Sequence, residues 1–459
     1  MTLLEQIRAI VGDVGLVTGA DVARRPADWT GSTPCRARAV VRPRTTAELA
    51  AVMKLCHAAG QPVVPAGGLT GLVRGASATD EELLVSFERM RTIEAIDPVG
   101  RTMVVQAGVP LEAVHDAAAE HGLIYGVDLG ARGSCTIGGN IATNAGGNTV
   151  IRYGMTRDNV LGLEAVLADG TILSSMNALL KNNAGYDLKH LFIGSEGTLG
   201  LVTRAVLRLH PAPSSEATAI LAIDGFDALT GFFALAGRRL DGGLKSFEVM
   251  WSSYYDLIAI QSGRHRPPLP TGHDFYVIVE SAGTDPERDE ALFAGMLGEA
   301  LEQGLARDAV IAASKAQRNA IWAIREDVEG QIKMLMPGIS LDVSLPITKM
   351  QEYVDGLCRS LPDLCGKDAM MVVYGHIGDN NLHLLVAPRP WNAKAKHNAE
   401  ILVYGPLAVL GGSVSAEHCI GLDKREWLPL SRSLEELAMM RRLKTALDPK
   451  GLLNRGKVL

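Results

Sequence analysis

A pair of histidines separated by a short turn-forming segment is the first candidate for catalytic chemistry in this sequence. His376 and His383 flank Gly378-Asp379-Asn380, which is typical of a turn, and an apolar run lies on each side of the pair. Such a turn would place the two imidazoles on neighbouring strands, at cross-strand distance. Two histidines and one carboxylate are a common ligand set of catalytic metals, and segment 415–421 (Ser-Ala-Glu-His-Cys-Ile-Gly) offers the third ligand. The alternative is that both histidines are structural.

Two glycine-rich blocks are the second candidate. Residues 65–72 (Pro-Ala-Gly-Gly-Leu-Thr-Gly-Leu) follow a predicted buried strand, and residues 133–147 are unusually poor in large side chains. In such blocks backbone N–H groups can converge on a pyrophosphate, and backbone can approach a planar ligand, without obstruction by Cβ atoms. Neither block contains Gly-x-Gly-x-x-Gly, so the nicotinamide dinucleotide fingerprint is absent. The alternative is that both blocks are merely tight turns.

The elements predicted around these motifs alternate between helix and strand. Thr45 and Glu48 form a capping box that predicts a helix through Ala59, and a composition change near 210–213 predicts a domain boundary. Beyond it we expect longer helices, over 287–302 and 316–333, and strands over 275–280 and 371–374. The pattern predicts an α+β protein of two main domains.

Composition narrows the function classes. The chain has 459 residues, of which 47% are hydrophobic and 21% charged, and this excludes extended disorder. A formal net charge of −6 with no basic run disfavours nucleic acid and anionic membranes as partners. No run of 18 apolar residues and no signal peptide is recognisable, and the six cysteines form no Cys-x-x-Cys pair. We therefore expect reduced thiols, no transmembrane segment and a cytoplasmic protein.

Taken together, several motifs resemble one flavoprotein superfamily. They are Pro65–Leu72, Gly133–Gly147, Arg152-Tyr153-Gly154, a strand closing at Asp169-Gly170, and Gly185-Tyr186-Asp187-Leu188 running into 194–200. This set resembles the FAD-binding domain of the vanillyl-alcohol oxidase/p-cresol methylhydroxylase superfamily. Within it, the FAD-linked D-2-hydroxy-acid dehydrogenases (D-lactate, glycolate and D-2-hydroxyglutarate) are most similar. The resemblance covers nearly the whole chain, and Arg455 is a small departure near its end.

The resemblance implies a fold and a cofactor. It implies a two-subdomain FAD-binding domain of the p-cresol methylhydroxylase type over 1–212, and an α+β substrate (cap) domain with an antiparallel sheet and the metal site over 213–440. A C-terminal segment, 441–459, would return to the FAD domain. No histidine lies between Ala58 and Val114, so FAD would be held without a covalent bond. The implied FAD contacts are Pro65, Ala66, Gly67, Gly68, Leu69, Thr70, Gly71, Leu72, Gly133, Ser134, Ile137, Gly138, Gly139, Asn140, Thr143, Asn144, Ala145, Gly146, Tyr153, Glu196, Gly197, Gly200, Val202 and Asn454.

The histidine motifs carry the implied catalytic roles. His-x-Gly-Asp-x-Asn-x-His and Glu-His-x-Ile-Gly are marks of that dehydrogenase family. They imply His376, His383 and Glu417 as ligands of a divalent metal, zinc with manganese or iron as alternatives, and His418 as the catalytic base. Asn380 replaces the family's usual Gly, and Asn tolerates the left-handed conformation. In the oxidation of a 2-hydroxy acid, a bound cation lowers the pKa of the substrate hydroxyl, and a neutral histidine can then accept its proton. Flavin N5 accepts the hydride from C2.

The substrate contacts are also implied by resemblance. Arg325 would bind the substrate carboxylate as a bidentate clamp, and Asn381, His376 and His383 would also contact the substrate. The alternative for Arg325 is a solvated helix arginine paired with Glu329 at i+4.

Two departures leave the substrate open among D-lactate, D-2-hydroxyglutarate and D-malate. Ser340 stands where members acting on D-lactate or D-2-hydroxyglutarate often carry Lys, two residues before Asp342. Glu329 stands where some members have Thr.

The leading hypothesis is a dehydrogenase that oxidises a small D-2-hydroxy acid to the 2-oxo acid. Its electrons would pass to an electron-transfer flavoprotein, a quinone or a cytochrome, and a homodimer is left open. The alternatives are a flavin oxidase that uses O2 (or an aromatic-alcohol oxidase), a zinc hydrolase with structural glycine loops, and a nucleotide-binding subunit without its own catalysis.

Overall fold

The structure is a computed structural model that describes residues 1–31, 33–240 and 242–459. In it, the strand before the first glycine block belongs to a small four-stranded sheet. Its elements are β1 (Leu16–Val17), β2 (Ala39–Val41), β3 (Val63–Ala66), β4 (Leu83–Ser86), α1 (Leu3–Val11), α2 (Ala20–Ala23) and α3 (Thr46–Ala59). The sheet has the order β1-β2-β4-β3, and β2, β4 and β3 run parallel. Parallel strands of one sheet need a crossover connection, and α3 supplies it between β2 and β3, which lie on either side of β4.

Helix α3 begins and ends where the sequence predicts. Thr45 Oγ1 accepts a hydrogen bond from the Glu48 N–H at 3.1 Å, and Gly60 ends the helix with φ 64°. The Glu48 carboxylate accepts from the Arg44 N–H at 2.8 Å, so the reciprocal half of the predicted capping box is replaced by a neighbouring donor.

A six-stranded sheet follows, and the second glycine block contributes a helix beside it. The sheet order is β5-β6-β10-β8-β9, with β7 pairing β10, and its described pairs are antiparallel. Its elements are β5 (Ile93–Asp97), β6 (Thr102–Gln106), β7 (Leu123–Tyr125), β8 (Val160–Val166), β9 (Ile172–Ser175), β10 (Leu201–Pro211), α4 (Leu111–Ala119), α5 (Ile137–Thr143), α6 (Val150–Tyr153) and α7 (Lys189–Phe192). The predicted turn at Asp169-Gly170 closes the β8–β9 hairpin.

A seven-stranded antiparallel sheet carries the histidine turn. Its order is β14-β11-β13-β12-β16-β17-β15. The strands are β11 (Ser215–Ile223), β12 (Leu244–Trp251), β13 (Phe275–Gly283), β14 (Asp308–Ile311), β15 (Ile339–Ser344), β16 (Met370–Gly375) and β17 (Asn381–Ala387). The accompanying helices are α8 (Phe226–Arg239), α9 (Ser252–Tyr255), α10 (Pro286–Glu302), α11 (Lys315–Arg325), α12 (Val328–Leu335), α13 (Ile347–Cys365), α14 (Ala393–Tyr404) and α15 (Leu407–Leu410). Helix α16 (Leu434–Leu447) lies near the end of the chain.

The prediction of one helix over 316–333 is wrong, because α11 ends at Arg325 and α12 starts at Val328. Asp327 caps α12 by accepting a hydrogen bond from the Gly330 N–H at 2.8 Å. A side chain that bonds its own backbone in this way competes with helix continuation. The break leaves Arg325 at the C-terminal end of α11.

The described chain divides into two compact units. The first comprises Met1–Gly147, Tyr153–Ala212 and Glu417–Leu459, and the second comprises Asn148–Arg152 and Pro213–Ala416. The predicted return to the first domain at 441 thus differs from the unit boundary at Glu417. Within the described residues, no helix combines the length and the apolar character needed to cross a bilayer.

Candidate active site

The two glycine blocks pack against each other within the first unit. A Cβ on Gly68 would lie 1.9 Å from the carbonyl oxygen of Ser134, and one on Gly67 would lie 2.6 Å from Thr136 Oγ1. A Cβ on Gly138 would lie 2.7 Å from the Cβ of Ala107. These glycines are therefore required by close contact within the protein, whether or not a ligand is present.

The second glycine block also contains buried polar atoms that form no hydrogen bond within the described residues. Thr136 Oγ1 and Asn140 Nδ2 are buried and have no hydrogen-bond partner among the described residues, and the same is true of Asn454 Oδ1 in the C-terminal segment. A buried polar atom without a partner is costly, so such atoms suit a polar ligand. These residues fit FAD, whose pyrophosphate and ribityl groups offer both donors and acceptors.

Several residues predicted to contact FAD have clear structural contacts. The Asn144 side chain accepts from the Arg157 N–H at 2.9 Å, and Tyr153 packs on the His210 ring at 4.9 Å between centroids. Val202 is part of the hydrophobic core, so its side chain is already packed. A Cβ on Gly200 would lie 2.6 Å from the Phe192 ring. Their contacts with FAD, like those of the remaining block residues, stay predictions.

Glu196 also has a structural role, because its buried carboxylate fixes the segment that carries Glu417 and His418. It accepts hydrogen bonds from the Ile420 N–H at 2.8 Å and the Gly421 N–H at 2.9 Å. Burial raises the pKa of Glu196, and these two hydrogen bonds act in the opposite direction.

The same segment contacts the second glycine block at two points. Glu417 Oε1 accepts from the Gly147 N–H at 2.7 Å, and the Cys419 thiol donates to the Thr143 carbonyl at 3.1 Å. His418, the predicted base, lies between these two anchored residues. The structure thus holds it next to residues that the sequence assigns to FAD binding.

The predicted turn between the histidines is confirmed in the second unit. β16 ends at Gly375, β17 begins at Asn381, and Asn380 adopts φ 72° at the turn. The His376 and His383 rings lie 5.2 Å apart at an angle of 80°. Asn adopts the left-handed conformation more readily than most residues with a side chain, which explains how this chain tolerates Asn380 in place of glycine.

Edge strand β15 positions the residues that lead to Glu417. Ser413 pairs with Ser344, and the Ala416 N–H donates to Asp342 Oδ2 at 2.9 Å. Asp342 is fully buried and is the cross-strand partner of His383. Contacts with the main chain of Ser344 and the side chain of Asp342 therefore hold the chain along this edge of the sheet as far as Ala416, and Glu417 is the next residue.

The structure brings two of the predicted metal ligands together within the second unit, where the His376 and His383 rings lie 5.2 Å apart. Glu417, the third predicted ligand, directly follows Ala416, the last residue of the second unit. Both histidines are buried, and Glu417 is partly buried. Two imidazoles and one carboxylate are a donor set suited to a divalent transition metal with open positions for substrate.

A buried carboxylate that the sequence analysis missed joins His376 to Arg325. Glu248 on β12 accepts from Arg325 through Oε2, at 3.0 Å from Nε and 2.9 Å from Nη2, and its Oε1 lies 2.5 Å from His376 Nδ1. Burial alone would raise the pKa of Glu248, but its interactions with His376 and Arg325 lower it overall. A single acid in the apolar strand Leu-Lys-Ser-Phe-Glu-Val-Met-Trp was the signal available in the sequence.

Arg325 is neither solvated nor paired with Glu329, so that alternative is wrong. It is 7% exposed, its guanidinium lies 4.4 Å from the centroid of the Tyr374 ring, and Glu329 pairs with Arg264 at 2.7 Å. The Arg325 carbonyl accepts from the Tyr254 hydroxyl at 3.0 Å. Nη1 of Arg325 has no hydrogen-bond partner among the described residues, while Nε and Nη2 bind Glu248.

Asn381 and Ser340 differ in what they offer a substrate. Asn381 Nδ2 donates to the Val343 carbonyl at 3.2 Å, and its buried Oδ1 has no partner among the described residues. Ser340 is exposed on β15.

Fold and site together define an FAD-dependent oxidoreductase. A model of an FAD binding domain matches residues 37–175, and a model of the C-terminal domain of FAD linked oxidases matches residues 212–458. The chain therefore belongs to the FAD-linked oxidase family, and the α+β fold with an FAD-binding domain of the p-cresol methylhydroxylase type is confirmed.

Similar proteins include two D-2-hydroxyglutarate dehydrogenases and a solved structure. The chain is 41% identical over 444 residues to D-2-hydroxyglutarate dehydrogenase of Xanthomonas citri pathovar viticola, covering 96% of this chain and 93% of that protein. It is 39% identical over 433 residues to mitochondrial D-2-hydroxyglutarate dehydrogenase of Bos taurus, covering 94% and 78%. Substrate-bound p-cresol methylhydroxylase superposes with a TM-score of 0.77 at 15% identity, covering 99% and 96%, and this likeness supports the fold alone.

Proposed function

We propose that this chain is an FAD- and divalent-metal-dependent dehydrogenase that oxidises a D-2-hydroxy acid to the 2-oxo acid. The observation that carries the proposal is the cluster of His376, His383 and Arg325 in the second unit, where the two imidazoles lie 5.2 Å apart and Arg325 Nη2 lies 3.4 Å from His376 Nε2. An FAD-linked oxidoreductase that acts on an unactivated alcohol needs to bind that alcohol and remove its proton, and this cluster fits that task.

His376, His383 and Glu417 would hold the metal, and zinc suits two imidazoles and one carboxylate. Bound there, the ion would supply Lewis acidity toward the substrate hydroxyl. His376 would bind it through Nε2, because Nδ1 contacts Glu248 at 2.5 Å.

Arg325 would anchor the substrate carboxylate through Nη1 and through its charge. Because Glu248 occupies Nε and Nη2, the bidentate clamp predicted from the sequence is replaced in this proposal by a single hydrogen bond at the remaining nitrogen. Asn381 Oδ1, buried and without a partner among the described residues, would accept from a substrate hydroxyl.

His418 would accept the proton of the substrate C2 hydroxyl on an imidazole nitrogen. FAD, when bound, supplies the acceptor for the hydride that leaves C2. Loss of this proton and this hydride converts the C2 alcohol into the C2 ketone, which balances the oxidation. Glu196 contributes by fixing the backbone at Ile420 and Gly421, close to His418 in the chain.

D-2-hydroxyglutarate is the substrate we propose first, since relatives at 39% and 41% identity carry that activity in their names. D-lactate and D-malate are the further candidates. Electrons would leave to an acceptor other than NAD, such as an electron-transfer flavoprotein, because neither glycine block has the nicotinamide fingerprint.

Anaerobic mixing with D and L enantiomers of 2-hydroxyglutarate, malate and lactate tests the proposal. We expect D-2-hydroxyglutarate to bleach the visible absorbance of the oxidised flavin and the L enantiomers to leave it unchanged. Equal bleaching by both enantiomers, or none by any of these acids, would refute the proposed reaction.

A further inference from the structure

Glu248 has an arrangement of contacts that its burial alone does not explain. It is 1% exposed, and both of its oxygens are occupied, Oε1 by His376 and Oε2 by Arg325. One carboxylate thus touches a residue that would hold the metal and a residue that would hold the substrate.

Glu280 on the neighbouring strand β13 provides an internal reference. It is 2% exposed and pairs with Arg318 of α11 at 2.6 Å, as Glu248 pairs with Arg325 of the same helix. Its other partners are Thr218 Oγ1 at 2.7 Å, Trp322 Nε1 at 2.8 Å and Lys245 Nζ at 3.7 Å. No histidine is among these contacts, so Glu280 matches Glu248 in burial and ion pairing alone.

We propose that Glu248 is a positioning residue that holds His376 with its proton on Nδ1 and thereby presents Nε2 to the metal. This inference rests on the proposed function. A carboxylate accepts hydrogen bonds only, so the His376 nitrogen that contacts it must carry the hydrogen. The opposite nitrogen, Nε2, then carries no hydrogen, and an imidazole nitrogen in this form can donate its lone pair to a cation.

The Glu248 carboxylate also links His376, which would hold the metal, to Arg325, which would hold the substrate carboxylate. Since Oε2 holds Arg325, a change at Glu248 moves the guanidinium and the imidazole together. Arg325 Nη2 lies 3.4 Å from His376 Nε2, and the Glu248 charge offsets the presence of this cation near the metal position.

Zinc affinity of the full-length, FAD-containing protein tests the inference. The protein is stripped of metal and titrated with zinc ion against a chromophoric chelator, as wild type and as Glu248→Gln, Glu248→Asp and Glu280→Gln. We expect Glu248→Gln to weaken zinc binding about 10- to 100-fold, the usual effect of removing a residue that orients a ligand. Glu248→Asp should recover part of this loss, and Glu280→Gln should bind zinc as wild type does.

A second measurement needs no variant. Nitrogen NMR of histidine-labelled, metal-free wild type should show His376 with its proton on Nδ1, and the opposite tautomer would overturn the inference. Equal zinc affinity in wild type and Glu248→Gln would also overturn it, as would an equal loss in Glu280→Gln, because the effect would then follow from any buried charge in this sheet. If wild type binds no zinc, the proposed function fails, and the tautomer alone decides the inference.

Discussion

Glu248 and Glu280 are two buried carboxylates on the paired strands β12 and β13, and each takes an arginine from helix α11. Arg318 and Arg325 are seven residues apart, so they lie two turns apart on one face of the helix. The two carboxylates are alike in their burial and in their pairing with an arginine of α11, and Glu280 has Lys245 as a second cation at 3.7 Å.

The difference lies in the third partner. Glu280 accepts further hydrogen bonds from the Thr218 hydroxyl and the Trp322 indole N–H, and neither group is proposed to bind metal or substrate. Glu248 contacts a histidine, and the second ring nitrogen of an imidazole can bind a metal. Perturbed, buried carboxylates occur in structural ion pairs as well as at active sites, and what distinguishes the two is what the partner can do with its remaining atoms.

The largest expected effect distinguishes His376, the histidine that contacts Glu248, from Trp322, which contacts Glu280. His376→Ala should remove the metal and reduce turnover by more than about 100-fold, since losing a ligand exceeds losing a residue that only orients one. Trp322→Phe removes the corresponding donor at Glu280 and should leave metal content and turnover at wild-type levels. Metal analysis and steady-state rates check both variants, and a metal-loaded, active His376→Ala protein would contradict the assigned role.

The next largest expected effect is a difference in KM between variants of Arg325 and Arg318. Arg325→Lys should raise KM for the hydroxy acid about 10- to 100-fold, because a charged hydrogen bond contributes about 1.5–3 kcal/mol. Arg318→Lys should leave KM unchanged and lower only the apparent Tm. Steady-state kinetics on the D-hydroxy acid check both variants, and a wild-type KM in Arg325→Lys would contradict its proposed contact with the substrate carboxylate.

The smallest expected effect concerns Glu280 and stability. Burial alone would raise its pKa, but Arg318, Lys245 and Thr218 lower it below the ordinary value of 4.5. The ionised carboxylate therefore stabilises the fold above about pH 4.5, and this contribution is lost as the pH falls through the lowered pKa. Glu280→Gln should reduce the free energy of unfolding by about 2 kcal/mol at pH 7.

Thermal unfolding of wild type and Glu280→Gln over a series of pH values checks this prediction. The gap in apparent Tm between the two proteins should narrow below pH ~4.5. A gap that widens in acid would show that the sign of the pKa shift is wrong.

Local patterns made much of the fold predictable. Helix α3, the β8–β9 hairpin and the histidine turn each depend on residues close together in sequence, namely Thr45, Asp169-Gly170 and Gly378-Asp379-Asn380. The break after Arg325 was missed because it depends on the Asp327 cap, which competes with an otherwise helical pattern.

The site was predictable where resemblance supplied whole motifs, and otherwise it was not. Glu248 lies 128 residues before His376, and only strand pairing across the sheet brings them together. The Glu196 carboxylate similarly meets Ile420 and Gly421 more than 220 residues later. Long-range pairing of this kind leaves no signal in local periodicity.

The rate of flavin reduction in metal-free and zinc-reconstituted protein tests the central claim most directly. Both forms, with equal FAD content, are mixed anaerobically with D-2-hydroxyglutarate while the flavin absorbance is followed. We expect rapid bleaching with zinc and a rate lower by more than about 100-fold without it. Equally fast bleaching of the metal-free protein would show that His376, His383 and Glu417 do not bind a metal required for this oxidation.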